Sequence, residues 1–184
     1  MPFEDLLEEL AARRQRALAM GGAEKLAQRK AQGVLNARER IERLFDRGTF
    51  QESGMLAVSN RPEDRLTTPA DGKVGGFGRI NGREAAVLAN DFTTMGASSS
   101  ATNGRKIGHL KSVATRRGLP MVFLGESSGA RMPDHMGSRG MGTLLGNDGT
   151  QYQRMRETPW ASATLGLSYG SSSWYAVLSE FNVM

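Results

Sequence analysis

Apolar residues recur at helical spacing through the first 44 positions, which are otherwise dense in Arg, Glu, Lys and Gln. This pattern predicts two or three solvent-exposed helices. Gly21-Gly22 and Gly33 separate them, and Asn36 with Glu39 three residues later is a weaker relative of the capping box. Because so polar a segment has little to bury alone, residues 1–48 are predicted to form a helical arm packed on the domain or on another subunit.

From Thr49 onward, shorter apolar runs predict strands over residues 50–59, 72–80 and 83–90, with a Pro-containing loop at 60–71. Asn81-Gly82 predicts a tight hairpin between the last two strands, since both turn positions need positive φ. No helix opens after the glycines of residues 75–78. They are therefore interpreted as strand glycines against a close neighbour, and a dinucleotide-binding loop is disfavoured.

The second half of the chain mixes helices and strands. A helix is expected over 104–117 with Ile107 and Leu110 inward, and the apolar run 119–125 predicts a strand covered on both faces. Residues 132–155 are glycine-rich and expected to be irregular, and residues 156–166 return to strand. An apolar-spaced helix follows Gly170 and is expected to be the last element of the chain. This order of β-β-α units predicts an α/β domain over 49–184 that differs from a simple doubly wound sheet.

Composition narrows the class of protein. At 184 residues, one domain plus an arm is expected. The absence of cysteine excludes disulfides, thiolate nucleophiles and cysteine-ligated metals, and fits a reducing cytoplasm. Neither a signal peptide nor a membrane span is predicted, so a cytoplasmic location without a membrane partner is expected. The net charge of +5 favours an anionic partner. Because no nucleic-acid motif is recognisable, a phosphate-bearing small molecule is preferred.

Three turns of small residues follow predicted strands. We call residues 96–100 the first turn, residues 127–130 the second turn and residues 169–172 the third turn. Ligands of open α/β sheets lie outside the carboxyl ends of the strands, so these turns predict a site built mainly from backbone donors. The third turn also starts a helix, whose first N–H groups lack intrahelical partners and can hold an anion or a developing oxyanion at Gly170 and Ser171.

Other chemistries find little support. The serines lack a G-x-S-x-G elbow, and the two histidines, His109 and His135, give no metal-ligand spacing and no triad. Glu126 and Glu157 are candidate buried carboxylates, but arginines nearby favour ion pairs. With no acid–base machinery evident, oxyanion stabilisation is predicted to be the main contribution of the protein.

Several segments, in the same order along the chain, resemble one family: the carboxyltransferase (β) subunit of biotin-dependent acyl-CoA carboxylases of the propionyl-CoA and methylcrotonoyl-CoA type, and related decarboxylase subunits. The similarity runs nearly end to end of this chain and covers the amino-terminal part of the family's subunit. The segments are Leu35-Asn-Ala-Arg-Glu-Arg-Ile41 and Leu44-Phe-Asp-Arg-Gly-Thr-Phe50 (family TARERI and LLDxGSF), residues 72–83 (DGVVTGYGRINGR), Ala89-Asn-Asp-Phe-Thr93 (QDFT), Gly125-Glu-Ser-Ser-Gly-Ala-Arg131 (NDSGGAR) and Gly170-Ser171 (Gly-Gly).

The resemblance implies a partial crotonase-like spiral of β-β-α units preceded by the helical arm. It also implies carboxyl transfer from carboxybiotin, carried by a partner domain, to an acyl-CoA. Implied partners are biotin carboxylase, a biotin carrier subunit and further copies in a homo-oligomer. In the family the active site lies between the amino domain of one protomer and the carboxyl domain of another. The chain is therefore expected to be a truncated gene product, a proteolytic fragment or one piece of a split subunit, and it is not expected to complete the site alone.

The resemblance also assigns roles to residues. Gly170 and Ser171 are the expected oxyanion donors. Gly96, Ala97, Ser128 and Gly129 are expected to line the acyl and pantetheine path. Arg38, Arg40 and Lys106 are candidates for the CoA phosphates.

The chain departs from the family pattern at Ser171, at Tyr169 and at residues 126–129, which puts the identity of the acyl group in question. Two alternatives stay open: a biotin-linked acyl-CoA decarboxylase subunit and a non-catalytic CoA-binding fragment.

Overall fold

The computed structural model describes residues 3–136 and 158–184. The arm contains three helices, α1 (Glu4–Ala19), α2 (Ala23–Ala31) and α3 (Ala37–Leu44). They break at the predicted glycines, and Asn36 caps α3 in a complete capping box with Glu39. The boundary between an arm at 1–48 and a domain at 49–184 stays a prediction, because α3 packs directly on the sheet.

The described residues form one mixed sheet of six strands in sequential order. The strands are β1 (Gln51–Glu52), β2 (Lys73–Ile80), β3 (Arg83–Asn90), β4 (Met121–Ser128), β5 (Trp160–Tyr169) and β6 (Phe181–Val183). Strands β1 to β3 pair antiparallel, and β3 to β6 pair parallel. The predicted hairpin is confirmed, with Asn81 at φ 50° and Gly82 at φ 78° between β2 and β3.

Three further helices lie in the second half of the described chain: α4 (Ala101–Arg117), the short α5 (Met132–His135) and α6 (Ser171–Leu178). Helix α4 runs between β3 and β4, and α6 runs between β5 and β6. The carboxyl ends of β3, β4 and β5 therefore lie at one edge of the sheet, and the loops that leave them meet there.

Side chains alternate across the sheet and bury two apolar clusters, one on each face. On one face Met20, Ile41 and Phe45 of the arm region pack on Val74 and Val87. The other face packs under α4 and includes Ala86, Leu88, Leu110, Met121, Phe123 and Trp160. The strand glycines fit the prediction of close packing, since a Cβ on Gly76 would lie 2.0 Å from the Gln51 carbonyl oxygen.

Three sequence predictions of local structure were wrong. The strand expected over 50–59 ends at Glu52, because Gly54 takes φ 71° and turns the chain. Helix α4 begins three residues early, since Ser100 caps it with Asn103 in a capping box that uses an amide instead of Glu or Gln. The last helix stops at Leu178 and is followed by β6.

The predicted irregular segment 132–155 and the start of the strand at 156, with Glu157, lie mostly outside the described residues. Within residues 3–136 and 158–184, no helix has the length and apolar character that crossing a membrane requires.

Candidate active site

The three turns meet at the carboxyl edge of the parallel strands, as the sequence predicts. Ser99 of the first turn pairs with Ala130 of the second as a parallel bridge, and its N–H donates to the Gly129 carbonyl at 2.8 Å. A Cβ on Gly170 of the third turn would lie 3.4 Å from the Gly129 Cα. The second turn therefore lies between the other two.

Gly96 and Ser128 make the closest contact between the first two turns. A Cβ on Gly96 would lie 2.5 Å from the Ser128 hydroxyl oxygen, so glycine is required there for reasons of space as well as its φ of 61°. Ala97 and Gly129 are buried in the same region. Four residues predicted to line the acyl path thus lie side by side, and their role stays a prediction.

The backbone is left-handed over three consecutive residues, which are Met95 just before the first turn and the first two residues of the turn. Met95, Gly96 and Ala97 have φ values of 46°, 61° and 50°. Met95 and Ala97 carry a side chain, which makes positive φ energetically unfavourable for them. Surrounding contacts must offset this cost. Lys73 and Ser127 supply such contacts, because the Lys73 amine donates to the Ala97 carbonyl at 2.7 Å and the Ser127 hydroxyl donates to it at 3.2 Å.

A buried ion pair ties the first turn to the end of the second. The Arg131 guanidinium donates to the Asp71 carboxylate at 2.6 Å, and their side chains are 2% and 0% exposed. Asp71 also accepts the Ser100 hydroxyl, while the Asn103 amide donates to the Ser98 carbonyl at 2.8 Å. Every charge in this pair has a partner, as burial in an apolar interior demands.

The third turn has a simpler construction. Gly170 takes φ 60° and precedes α6, and no side-chain hydrogen bond caps the helix. The Ser173 hydroxyl donates to the Ser168 carbonyl at 2.7 Å, and the buried Asn90 amide donates to the Ser172 hydroxyl at 2.7 Å. The first N–H groups of α6 have no carbonyl partners within the helix and carry the positive end of its dipole.

The three cations predicted to hold CoA phosphates have other partners. Arg38 pairs with Glu52 at 2.7 Å and lines a cleft of ≈ 370 Å³ beside α3. Arg40 is buried against Glu126 at 2.9 Å. Lys106 is buried, donates to the Ala70 carbonyl at 3.2 Å, and burial lowers its pKa to about 8. These contacts argue against a phosphate role for Arg40 and Lys106, and the role of Arg38 stays a prediction.

Glu126 is a buried ion-pair residue, as the arginines near it suggested. Its two carboxylate oxygens pair with Arg29 of α2 and Arg40 of α3, and the residue is 2% exposed. Glu126 lies on β4 just before the second turn. Its two ion pairs therefore connect the helical arm to the strand that carries the turn. Glu126 therefore has two cationic partners and is not an available acid or base.

Neither histidine belongs to a metal-binding group among the described residues, where no three His, Asp or Glu side chains cluster to hold an ion. His109 lies on the exposed side of α4, and the ring of His135 contacts the Ser99 carbonyl at 2.9 Å.

Sequence reasoning gave no role to Asp71, Lys73, Arg131 or Asn103, all of which are buried around the first turn. One signal was available: Lys73 is a charged residue at the start of a glycine-rich strand that continues into the apolar Val74. For Asp71 and Arg131 the sequence held no comparable signal, because their partners are distant along the chain.

Comparison with known proteins gives the family. Residues 28–184 match the carboxyl transferase domain. The chain is 31% identical over its whole length to the carboxyltransferase subunit of propionyl-CoA carboxylase from Haloferax mediterranei, of which it covers 36%. It is 35% identical over 99% of its length to the propionyl-CoA carboxylase beta chain from Cereibacter sphaeroides, of which it also covers 36%. The chain thus spans about a third of the length of these relatives.

Solved structures agree with this relationship. The transcarboxylase 12S hexamer core, crystallised with methylmalonyl-coenzyme A and methylmalonic acid bound, superposes on 97% of this chain with a TM-score of 0.80 and 30% identity, and the match covers 35% of that protein. A single-chain, multi-domain long-chain acyl-CoA carboxylase matches 96% of this chain with a TM-score of 0.82 and 27% identity. The crotonase-like α/β fold expected from the resemblance is confirmed. The chain belongs to the carboxyl transferase domain family.

Proposed function

We propose that this chain carries the acyl-CoA half of a carboxyltransferase site that transfers a carboxyl group from carboxybiotin to the α-carbon of an acyl-CoA. The observation that supports this most is the uncapped start of α6 behind Gly170, where three small-residue turns meet. Transfer requires an enolate, and an enolate oxygen needs fixed donors outside water.

Gly170 and Ser171 are the proposed donors. In the reaction the α-carbon of the thioester loses a proton, and the electron pair moves onto the thioester oxygen. Backbone N–H groups at the start of α6 would stabilise this negative charge, and the helix dipole adds to the effect. The enolate carbon would then form the new C–C bond to the carboxyl group as the C–N bond of carboxybiotin breaks. The proton from the α-carbon would end on the ureido nitrogen that this cleavage releases, which gives neutral biotin.

The first and second turns are proposed to line the acyl and pantetheine path. Gly96, Ala97, Ser128 and Gly129 leave little room for side chains where these turns touch. Such a surface lets the backbone approach a thin, extended ligand closely. Tyr169 is 58% exposed beside Gly170 and would contact the acyl group, so it is a candidate determinant of acyl size.

The remaining partners belong to the same proposal. We infer that a biotin carboxylase and a biotin carrier supply carboxybiotin, and that an oligomer supplies the opposite wall of the site. A biotin-linked decarboxylase would use the same donors in the reverse direction. A non-catalytic CoA-binding role would use the turns without the transfer.

The test is a pair of variants at Ser171 in the complete carboxylase assembly that contains this chain. Ser171→Pro removes the backbone N–H at the first helical position, where proline is tolerated. Ser171→Ala keeps the N–H and removes only the hydroxyl. Loss of one oxyanion donor lowers kcat by about 10²–10³, so we expect this loss in the proline variant alone.

The measurement is incorporation of labelled bicarbonate into acyl-CoA, with folding checked by circular dichroism. Equal rates in the proline and alanine variants would contradict the assignment of the donors. Binding of acyl-CoA with no labelled product from any assembly would favour the non-catalytic alternative.

A further inference from the structure

Lys73 is a fully buried amine next to the proposed site. It is the first residue of β2, its side chain is 0% exposed, and its amine donates to the Ala97 carbonyl at 2.7 Å. A valine there would bury without a desolvation cost, whereas an amine needs a compensating contact.

The hydrogen bond from the Lys73 amine reaches Ala97, whose backbone conformation is among the least favourable in the first turn. Ala97 and Met95 are non-glycine residues at positive φ, and each such residue costs about 1–3 kcal/mol. The Ala97 carbonyl accepts both the Lys73 amine and the Ser127 hydroxyl, and the Ala97 N–H donates to the Thr94 carbonyl at 2.8 Å. Both polar groups of the Ala97 backbone are therefore fixed.

The orientation of Ala97 determines where Gly96 lies. These two residues are consecutive in one left-handed turn, and Gly96 contacts Ser128 of the second turn with no space for a side chain. The second turn in turn contacts Gly170 through Gly129. A shift of the Ala97 carbonyl would therefore change the surface that the first turn presents beside the proposed oxyanion donors.

We propose that Lys73 is a positioning residue, whose buried amine holds the Ala97 carbonyl and so keeps the left-handed first turn in the geometry that receives the acyl-CoA. This inference rests on the proposed function for its consequence on binding. Its structural part, the hold on the first turn, stands on the described contacts alone. Lys73 contacts no proposed donor and acts through Ala97.

The experiment uses the fact that the chain holds no cysteine. Lys73→Cys can therefore be alkylated at one position while unfolded and then refolded. Bromoethylamine gives a lysine-like side chain with its amine, and bromopropane gives a side chain of similar length without one. The pair differs in the amine alone, which separates the hydrogen bond from simple filling of space.

Two readouts are measured on both forms: hydrogen exchange of the Ala97 amide, which donates to the Thr94 carbonyl, and the Kd for acetyl-CoA by calorimetry. Loss of one buried hydrogen bond corresponds to about a tenfold change in an equilibrium constant. We expect the propyl form to exchange the Ala97 amide about tenfold faster and to bind acetyl-CoA about tenfold more weakly. The aminoethyl form should return both values to within about twofold of the natural chain, a rescue that a space-filling role would not produce.

The outcomes separate the two proposals. Equal exchange of the Ala97 amide in the propyl and aminoethyl forms overturns the role of Lys73. Different exchange with no acetyl-CoA binding in the natural chain supports the hold on the turn and contradicts the proposed function. If the alkylated forms do not refold, the ¹⁵N signal of the Lys73 amine is measured instead, in the natural chain with and without acetyl-CoA. A shift on saturation with acetyl-CoA supports the proposal, and an unchanged signal contradicts it.

Discussion

The first and third turns are held in place by different means. The first turn is fixed by buried side chains from distant segments, including Lys73 on its Ala97 carbonyl and the Asp71–Arg131 ion pair beside it. The third turn is a junction between β5 and α6 and has no side-chain cap. Several tertiary contacts thus impose an unfavourable backbone on the first turn, while local chain geometry generates the third, which has one buried tertiary hydrogen bond, from Asn90 to Ser172. Changes to the first turn should therefore cost more stability, and changes to the third should mainly affect chemistry.

The largest loss of stability is expected from the ion pair behind the first turn. Arg131→Met leaves the Asp71 carboxylate buried without its partner, and breaking such a pair costs about 3–5 kcal/mol. Arg117→Met is the control, because Arg117 and Glu84 are each 50% exposed and such pairs contribute below about 1 kcal/mol. Urea unfolding monitored by circular dichroism measures both. Similar losses in the two variants would show that the buried pair does not support the turn.

Alanine substitutions at Gly96 of the first turn and Gly170 of the third turn should distinguish steric crowding from backbone strain. Gly96→Ala is expected to lower the free energy of unfolding by about 2–3 kcal/mol, because its Cβ would meet the Ser128 hydroxyl at 2.5 Å. Adding Ser128→Gly should restore about 1 kcal/mol of this loss. Gly170→Ala has no such close neighbour, so the same Ser128→Gly change should restore nothing. Additive behaviour at Gly96 would contradict the contact between the first and second turns.

The buried amine should make stability depend on pH. Burial lowers the pKa of Lys73 from 10.5 to about 7, against the carboxylates of Asp71 and Asp91, which raise it, and the cations of Arg131 and Lys106, which lower it further. Between these two pH values the unfolded chain binds a proton that the folded chain does not. The free energy of unfolding therefore rises with pH in this window, by up to about 1.4 kcal/mol per unit for one group.

Lys73→Met should reduce that slope, which urea titrations at pH 7, 8 and 9 can measure. Lys30→Met is the matched control, because Lys30 is exposed on α2. A slope that is the same in the Lys73 variant and the natural chain would mean that the amine stays protonated when folded.

The smallest effects are expected from single hydroxyl groups. Ser127→Ala removes the second donor to the Ala97 carbonyl from a fully buried position and should cost about 1–3 kcal/mol. Ser173→Ala removes a partly buried bond to the Ser168 carbonyl at the third turn and should cost about 0.5–1.5 kcal/mol. Thermal unfolding of the two variants compares them. A larger loss at Ser173 would reverse the contrast between the two turns.

Much of the fold follows from local sequence signals. Asn36 and Glu39 predicted the start of α3, Asn81-Gly82 predicted the hairpin, and the apolar run before Gly125 predicted β4. The prediction of a strand over residues 50–59 was wrong, because Gly54 takes positive φ and the strand ends at Glu52. Strand β6 was missed because it has only three residues and forms by pairing with β5, which no local pattern reveals.

Part of the candidate site could likewise be predicted from local sequence signals, and part of it could not. The three turns could be predicted, since each is a local cluster of small residues after a strand. The side chains that hold the first turn could not, because Lys73 lies 24 positions from Ala97 and Asp71 lies 60 positions from Arg131. Arg40 and Lys106 looked like surface cations available to phosphate, and only the folded structure shows them buried and paired.

The central claim is that the start of α6 holds the thioester oxygen through its backbone N–H groups. The most direct measurement is the ¹³C signal of carbonyl-labelled acetyl-CoA bound to this chain and to its Ser171→Pro and Ser171→Ala variants. Hydrogen bonds to the carbonyl oxygen polarise it and move the signal downfield. We predict a downfield shift in the natural chain and the alanine variant that is smaller or lost in the proline variant. An identical shift in all three would contradict the claim.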